Sequence, residues 1–192
     1  VVTSIISILS GKGKGQYRAI TKRAGNTFTV DRPWDILPDE TSQIVVNNHY
    51  YNVMICDNYF DGQENWQDHP SSTVGLSIYG PCQNLFFIRN EAKNINNLVD
   101  VTPMYWFYSV YDTICPVTWN YFDGNKVSNS GRGMSMNVTV NEDTKAIPHS
   151  MCFGNVFRRN EFKDMKEYTD KSKGSVGFGI YSGSAAGNRI WV

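Results

Sequence analysis

The feature that most constrains this chain is a segment that keeps returning. Val53-Met54-Ile55-Cys56-Asp57-Asn58-Tyr59-Phe60-Asp61-Gly62 has relatives at 85–94, 115–124 and 155–164. Aligned, they place Asn58, Asn90, Asn120 and Asn160 in one column, at steps of 32, 30 and 40 residues. Three positions earlier stand Ile55, Phe87, Val117 and Phe157; two positions later stand Phe60, Ala92, Phe122 and Phe162. Apolar columns at this period mark stacked units, each burying its face against the next. Three after the Asn, Asp61, Lys93, Asp123 and Lys163 alternate in sign. Strands stacked about 4.8 Å apart would make opposite charges neighbours at every step. Exposed pairs contribute only about 0–1 kcal/mol each, so this column is read as structural.

A second strand precedes each repeat. Gly75–Tyr79, Leu98–Thr102, Gly133–Asn137 and Val176–Tyr181 all alternate with period two. Leu76/Ile78, Val99/Val101, Met134/Met136 and Phe178/Ile180 form the inward sets. Ser77/Tyr79, Asp100/Thr102, Ser135/Asn137 and Gly179/Tyr181 form the outward sets. The expectation is an all-β chain, a right-handed parallel β-helix over 43–192 led in by a β-hairpin and loop module over 1–42. A β-sandwich would leave the column unexplained. The chain holds 19 asparagines, and a buried Asn can bond both its own turn and the Asn above. A register that fails to superpose Asn58, Asn90, Asn120 and Asn160 contradicts this reading.

Each repeat carries a "G-h-x-h … N-h-x-h-x-x-N-x-F" pattern, and from about Ser42 to Val192 the chain resembles parallel β-helix proteins of the pectate-lyase-like superfamily. Gly15-Gln16-Tyr17-Arg18 and Pro33-Trp34 … Pro38-Asp39-Glu40-Thr41-Ser42 are similar to a β-rich module preceding such repeats in carbohydrate-active and phage structural proteins. The resemblance implies polysaccharide lyases, glycoside hydrolases, epimerases, tailspikes or tail fibres. It implies a polysaccharide or glycan partner and a secreted or cell-surface setting, periplasm and virion included. Gly11-Lys12-Gly13-Lys14-Gly15 lacks the phosphate-loop spacing and reads as a turn with exposed lysines.

Charge narrows the classes further. Eighteen basic and eighteen acidic side chains leave no net charge, which argues against a nucleic-acid protein held by bulk charge. No run of 18 apolar residues offers a membrane span. Val1–Leu9 reads as a strand rather than a leader, and the last residues align to the middle of a repeat. A piece of a longer chain is therefore expected, or a protomer whose open ends a second copy or further domains cover. Cys56, Cys82, Cys115 and Cys152 form no CxxC pair, and their disulfide state is open between bridges and buried thiols.

Candidate chemistry lies on the outward face and the loops. In enzymes of the resembled family the groove runs along one outward face. Asp100, Arg132 and Tyr79 are the candidate catalytic residues, the arginine and a tyrosine (Tyr79 or Tyr181) for elimination at a uronate, the acid for hydrolysis. Hydrolysis needs a second carboxylate roughly 5–10 Å away, and Asp112 is the one that could approach. Tyr105, Trp106, Asn137, Tyr181 and His69 are candidate sugar contacts, since rings offer apolar faces while Asn and His reach hydroxyls. The loop at 61–73 adds Glu64, Trp66 and Asp68. The competing reading is that loop rings such as Trp106 pack as a satellite core. No cofactor is expected; Ca²⁺ is the one alternative left open, and no acid cluster has its spacing. A three-histidine metal site from His49, His69 and His149 is unsupported. Carbohydrate-active enzyme and non-catalytic glycan-binding or structural β-helix are the two functional classes carried forward, a purely structural segment of a large protein being the weaker third.

Overall fold

The computed structural model describes residues 2–69, 73–101, 115–137, 150–169, 175–181 and 189–191. The described residues are all-β apart from one 3₁₀ turn, Trp66–Asp68. Strands β1 (Val2–Ser10), β2 (Tyr17–Ala24) and β3 (Thr27–Val30) lead in. The first repeat holds β4 (Gln43–Cys56), β5 (Tyr59–Asp61) and β6 (Val74–Ile78). The second holds β7 (Cys82–Ile88), β8 (Glu91–Lys93) and β9 (Asn97–Val101). The third holds β10 (Cys115–Thr118), β11 (Tyr121–Asp123), β12 (Lys126–Ser128) and β13 (Arg132–Asn137). The fourth holds β14 (Ser150–Phe153), β15 (Val156–Arg158), β16 (Glu161–Lys163) and β17 (Val176–Tyr181), and β18 (Arg189–Trp191) follows.

Successive repeats pair in parallel and in register. The first sheet runs β4-β7-β11-β15-β18, with β10 between β7 and β14. The second runs β5-β8-β12-β16 and the third β6-β9-β13-β17. Ile55, Phe87, Phe122, Phe157 and Ile190 share one level of the first sheet. Phe60, Ala92, Val127 and Phe162 share one level of the second. The inward sets expected for the third sheet are in register: Leu76, Val99, Met134 and Phe178, then Ile78, Val101, Met136 and Ile180. Among the described side chains of these columns, all but exposed Ile180 pack into a single apolar core, where Phe122 and Phe157 lie flat on each other at 4.5 Å.

The asparagine column forms, with one member corrected. Asn58, Asn90, Asn125 and Asn160 stack. Each Oδ1 from Asn90 onward accepts both the backbone N–H and the Nδ2–H of the Asn one repeat earlier, at 2.9–3.2 Å. Each Nδ2 also donates to a carbonyl of the repeat before, Asn90 to Ile55, Asn125 to Phe87 and Asn160 to Phe122. Asn120 heads a separate ladder five residues earlier, accepting from Leu85 N–H and donating to Asn155. The register stated from sequence therefore fails at Asn120, while parallel stacking holds through Asn125. The same slip displaces Val117 and Phe122 in the apolar columns, and Asp123 from the charge column. Lys93 pairs with Asp61 and Ser128, not Asp123. Alternation occurs in the column of Glu91, Lys126 and Glu161, where Lys126 Nζ approaches Glu91 at 3.5 Å. Asp123 instead accepts from both Arg158 and Arg159, which hold its carboxyl below the usual range.

Corners explain the asparagine content. Nine non-glycine residues among those described hold φ between +46° and +60°. They fall in three register columns: Asn52, Asn84 and Trp119 ending in Gly154; Asp57, Arg89 and Arg159 with Gly124; and Asn94, Asn129 and Asp164. In the second and third columns the left-handed residue turns the chain from one sheet into the next, whereas the first column bends it within the first sheet, inside β4 and β7 and between β10 and β11. Asn and Asp tolerate that conformation better than other non-glycine residues.

The lead-in strands behave differently. β1 pairs antiparallel with β4, from Val2 opposite Tyr50 to Ser10 opposite Gln43, and so covers the exposed edge of the first sheet. The lysine-bearing turn at 11–15 closes on the Gly15 N–H to Ile8 carbonyl bond. Gln16 bonds the Ile36 carbonyl and the N–H groups of Asp35 and Ile36. Buried Arg18 bonds the carbonyls of Pro33 and Tyr17 and the carboxylate of Asp35, and stacks on Trp34. The two lead-in motifs thus hold each other.

Cys56, Cys82 and Cys152 are free thiols, with Cys82 pushed up to about 12 by burial. The side chain of Cys115 is outside the described set.

Two outcomes follow from this packing. Asn125→Ala strands a buried N–H and carbonyl and should lower unfolding free energy by about 2–4 kcal/mol in urea titration, against under about 1 kcal/mol for exposed Asn58→Ala. His49 is fully enclosed on β4, and burial lowers its pKa to about 4. Its folded pKa is below the unfolded value, so stability is intact above about pH 6.5 and lost as pH falls towards 4. The loss should reach about 3 kcal/mol near pH 4, and His49→Gln should flatten the stability curve across that window.

Candidate functional site

The outward face of the third sheet carries a polar column. Ser77, Asp100, Ser135 and Gly179 are in register across β6, β9, β13 and β17. Ser135 Oγ donates to Asp100 Oδ1 at 2.9 Å, and Asn97 Nδ2 reaches Ser135 Oγ at 2.7 Å. Asn97 and Ser135 are buried and Asp100 is half-buried. Arg132 is half-buried and stands level with Asn97, one strand over and three residues before Ser135. The structure therefore brings Asp100, Ser135 and Asn97 into direct contact and sets Arg132 on the adjacent strand.

Of the other candidates, Tyr79 shares a recess with Ser77 of this column. Tyr79 is 56% exposed, and this small apolar recess of about 180 Å³ is also lined by Tyr50, Leu76, Ile78 and Leu85, at the first repeat. Asn137 and Tyr181 pair through their backbones at the ends of β13 and β17, and their side chains lie outside the described set. Tyr105, Trp106, Thr102, Asp112 and His149 also lie outside the described residues. His69 is exposed just after the 3₁₀ turn; its ring is 3.3 Å from the Asn65 amide and its carbonyl accepts from Asn96.

The loop bearing His69 is a brace. Trp66 is only 1% exposed and meets Tyr168 edge to face at 5.6 Å. Gln67 bonds the Glu167 carbonyl, and Thr169 Oγ1 donates to Asp68. Side chains a hundred residues apart in sequence are thereby tied across the stack. For Trp66 the satellite-core reading holds. Gly131 lies beneath the pair, where a Cβ would come within 3.0 Å of the Trp66 ring.

Chemically, the polar column offers one carboxylate and two hydroxyls, with one amide and one guanidinium beside it. No carboxylate stands in register with Asp100 among the described residues, since its partners are Ser77 and Ser135. No group of three or more His, Cys, Asp and Glu that could hold a metal occurs among them. No helix of the described residues is long and apolar enough to cross a membrane.

A larger concavity, about 450 Å³, was not foreseen from sequence. It opens where the lead-in strands meet the first sheet and is lined by Tyr17, Arg32, Trp119 and Tyr121 among others. Its halves are about a hundred residues apart, so no local pattern announces it. No family model, curated protein or solved structure matches the chain.

The brace is separable from the face it borders. Trp66→Ala should cost about 3–5 kcal/mol of stability by denaturant unfolding, whereas Tyr79→Ala should stay within about 0.5 kcal/mol of wild type.

Proposed function

We propose that this chain is a glycan-binding parallel β-helix that lays an extracellular polysaccharide along the outward face of its third sheet. The observation that carries this is the in-register polar column of Ser77, Asp100 and Ser135, backed by Asn97 and Arg132 on a parallel sheet. Parallel stacking gives that face a repeat of about 4.8 Å, close to the rise of one sugar along an extended chain. Exposed Ser77 and half-buried Asp100 and Arg132 offer a hydroxyl, a carboxylate and a guanidinium to sugar hydroxyls and carboxylates, while buried Asn97 and Ser135 hold Asp100 in place from behind. The three parallel sheets, the three corner columns and the asparagine ladders are what a right-handed β-helix of the pectate-lyase-like kind requires. A secreted or cell-surface setting goes with this reading.

Binding without turnover is favoured over lyase or hydrolase action by a specific feature. Among the described residues, which do not include Asp112, Asp100 is engaged by Ser135 and has no second acid in register, whereas hydrolysis needs two carboxylates and elimination needs a base beside a neutralised uronate. The test is a panel of acidic and neutral polysaccharides, following binding, new reducing ends and the ultraviolet absorbance of an unsaturated uronate together. Binding with neither product signal is expected, and Asn97→Ala or Arg132→Ala should weaken it about tenfold, or ~1.4 kcal/mol. Absorbance and reducing ends rising together would instead make the protein a lyase, and reducing ends alone a hydrolase. No binding to any member would remove the glycan reading.

A further inference from the structure

We infer that the cleft between the lead-in strands and the first sheet is a second glycan subsite, selective for a sugar carrying a negative charge. This rests on the glycan reading above but uses none of the same residues.

The argument starts at Trp119. Its corner column is Asn52, Asn84, Trp119 and Gly154, all with φ between +54° and +68°. Asparagine and glycine fit that backbone, and a bulky aromatic residue does not. Strain at a lone position in a column otherwise suited to it points to a task beyond turning the corner. The indole is fixed: its N–H donates to the Gly15 carbonyl at 2.9 Å, and Phe153 meets it edge-on at 5.7 Å. Gly154 leaves the room, since a Cβ there would come within 2.7 Å of the ring. With its donor used, what Trp119 still presents is ring surface, 38% of the residue being exposed.

Two more rings line the cleft. Tyr121 lies on Phe86 at 5.2 Å with planes 4° apart. Tyr17 is held edge-on by Tyr51 and covered by the Arg32 guanidinium at 5.4 Å. Fixed aromatic faces lining a polar cleft of this size suit the C–H face of a pyranose. The cations decide the charge class. Arg18 is consumed by Asp35 and two carbonyls, and Arg32 is paired with Asp31 at 2.8 Å. Lys14 lines the cleft and has no ion pair among the described residues. The cleft therefore carries one uncompensated positive charge beside its rings, which matches a carboxylated or sulfated sugar.

The experiment titrates the whole protein with three trisaccharides: a uronate, a sulfated one and an uncharged analogue. The Trp119 indole N–H is followed by NMR and affinity by calorimetry. One or both charged probes should shift the Trp119 signal and bind at least tenfold more tightly than the uncharged analogue. Lys14→Glu should abolish that preference, and Tyr121→Ala should weaken binding at least tenfold, with thermal unfolding confirming that both variants fold. Asn97→Ala should leave the Trp119 response unchanged. Equal affinity for the uncharged analogue, or a silent Trp119 signal while binding proceeds, overturns the inference. Polysaccharide binding lost in Asn97→Ala but untouched by Lys14→Glu and Tyr121→Ala also removes the cleft, while leaving the third-sheet reading standing. The reverse pattern keeps the cleft and removes the third-sheet site.

Discussion

Everything in this structure depends on buried asparagines bonding upward to the next repeat. Asn90, Asn120, Asn125 and Asn155 are fully enclosed, yet each amide is satisfied by a backbone group and by a neighbour along the stack. A buried amide without those partners would cost more than it contributes. The ladder therefore tolerates one register only. Once it is set, phenylalanine falls on phenylalanine, Met134 on Val99, and Lys126 on Glu91. The hydrophobic columns supply most of the burial, but they are smooth, and the polar ladders decide where each repeat stops sliding.

Edges are the second constraint. A stack of parallel strands leaves unpaired backbone on its first repeat. In the first sheet β1 covers β4 in antiparallel pairing, and the loop behind it is locked by Gln16 and Arg18. That solution creates a corner between two differently built regions. Trp119 bridges it to Gly15, and both residues line the cleft.

Much of the repeat was legible because period-two alternation and buried asparagine leave direct marks. The inward sets of the third sheet, the column through Asn58, Asn90 and Asn160, and the outward alignment of Ser77, Asp100 and Ser135 all follow from spacing. The error at Asn120 has a physical origin. Asn58-Tyr59-Phe60-Asp61-Gly62 and Asn120-Tyr121-Phe122-Asp123-Gly124 are the same five residues, yet they stand at different corners. In the first, Phe60 enters the second sheet; in the second, Phe122 enters the first. An Asn followed by an alternating apolar residue serves either corner, so local identity carries no register. Only the added pairing of Lys126, Val127 and Ser128 with Glu91, Ala92 and Lys93 resolves it. The junction cleft was illegible for another reason: Tyr17 and Trp119 meet only through the fold. Trp66, read from sequence as a sugar contact or a packing ring, is committed to packing by Tyr168, a hundred residues away.

The most direct test of the stacking register is a pair of engineered cross-links in a background with the native cysteines replaced by serine. In-register neighbours on parallel strands lie about 5 Å apart at Cα, within disulfide reach. Glu91→Cys with Lys126→Cys should close to a disulfide on mild oxidation, read by mass spectrometry. Glu91→Cys with Tyr121→Cys, the partner required if Asn120 stood in the column, should stay reduced. A bond in the second pair and none in the first would contradict the account.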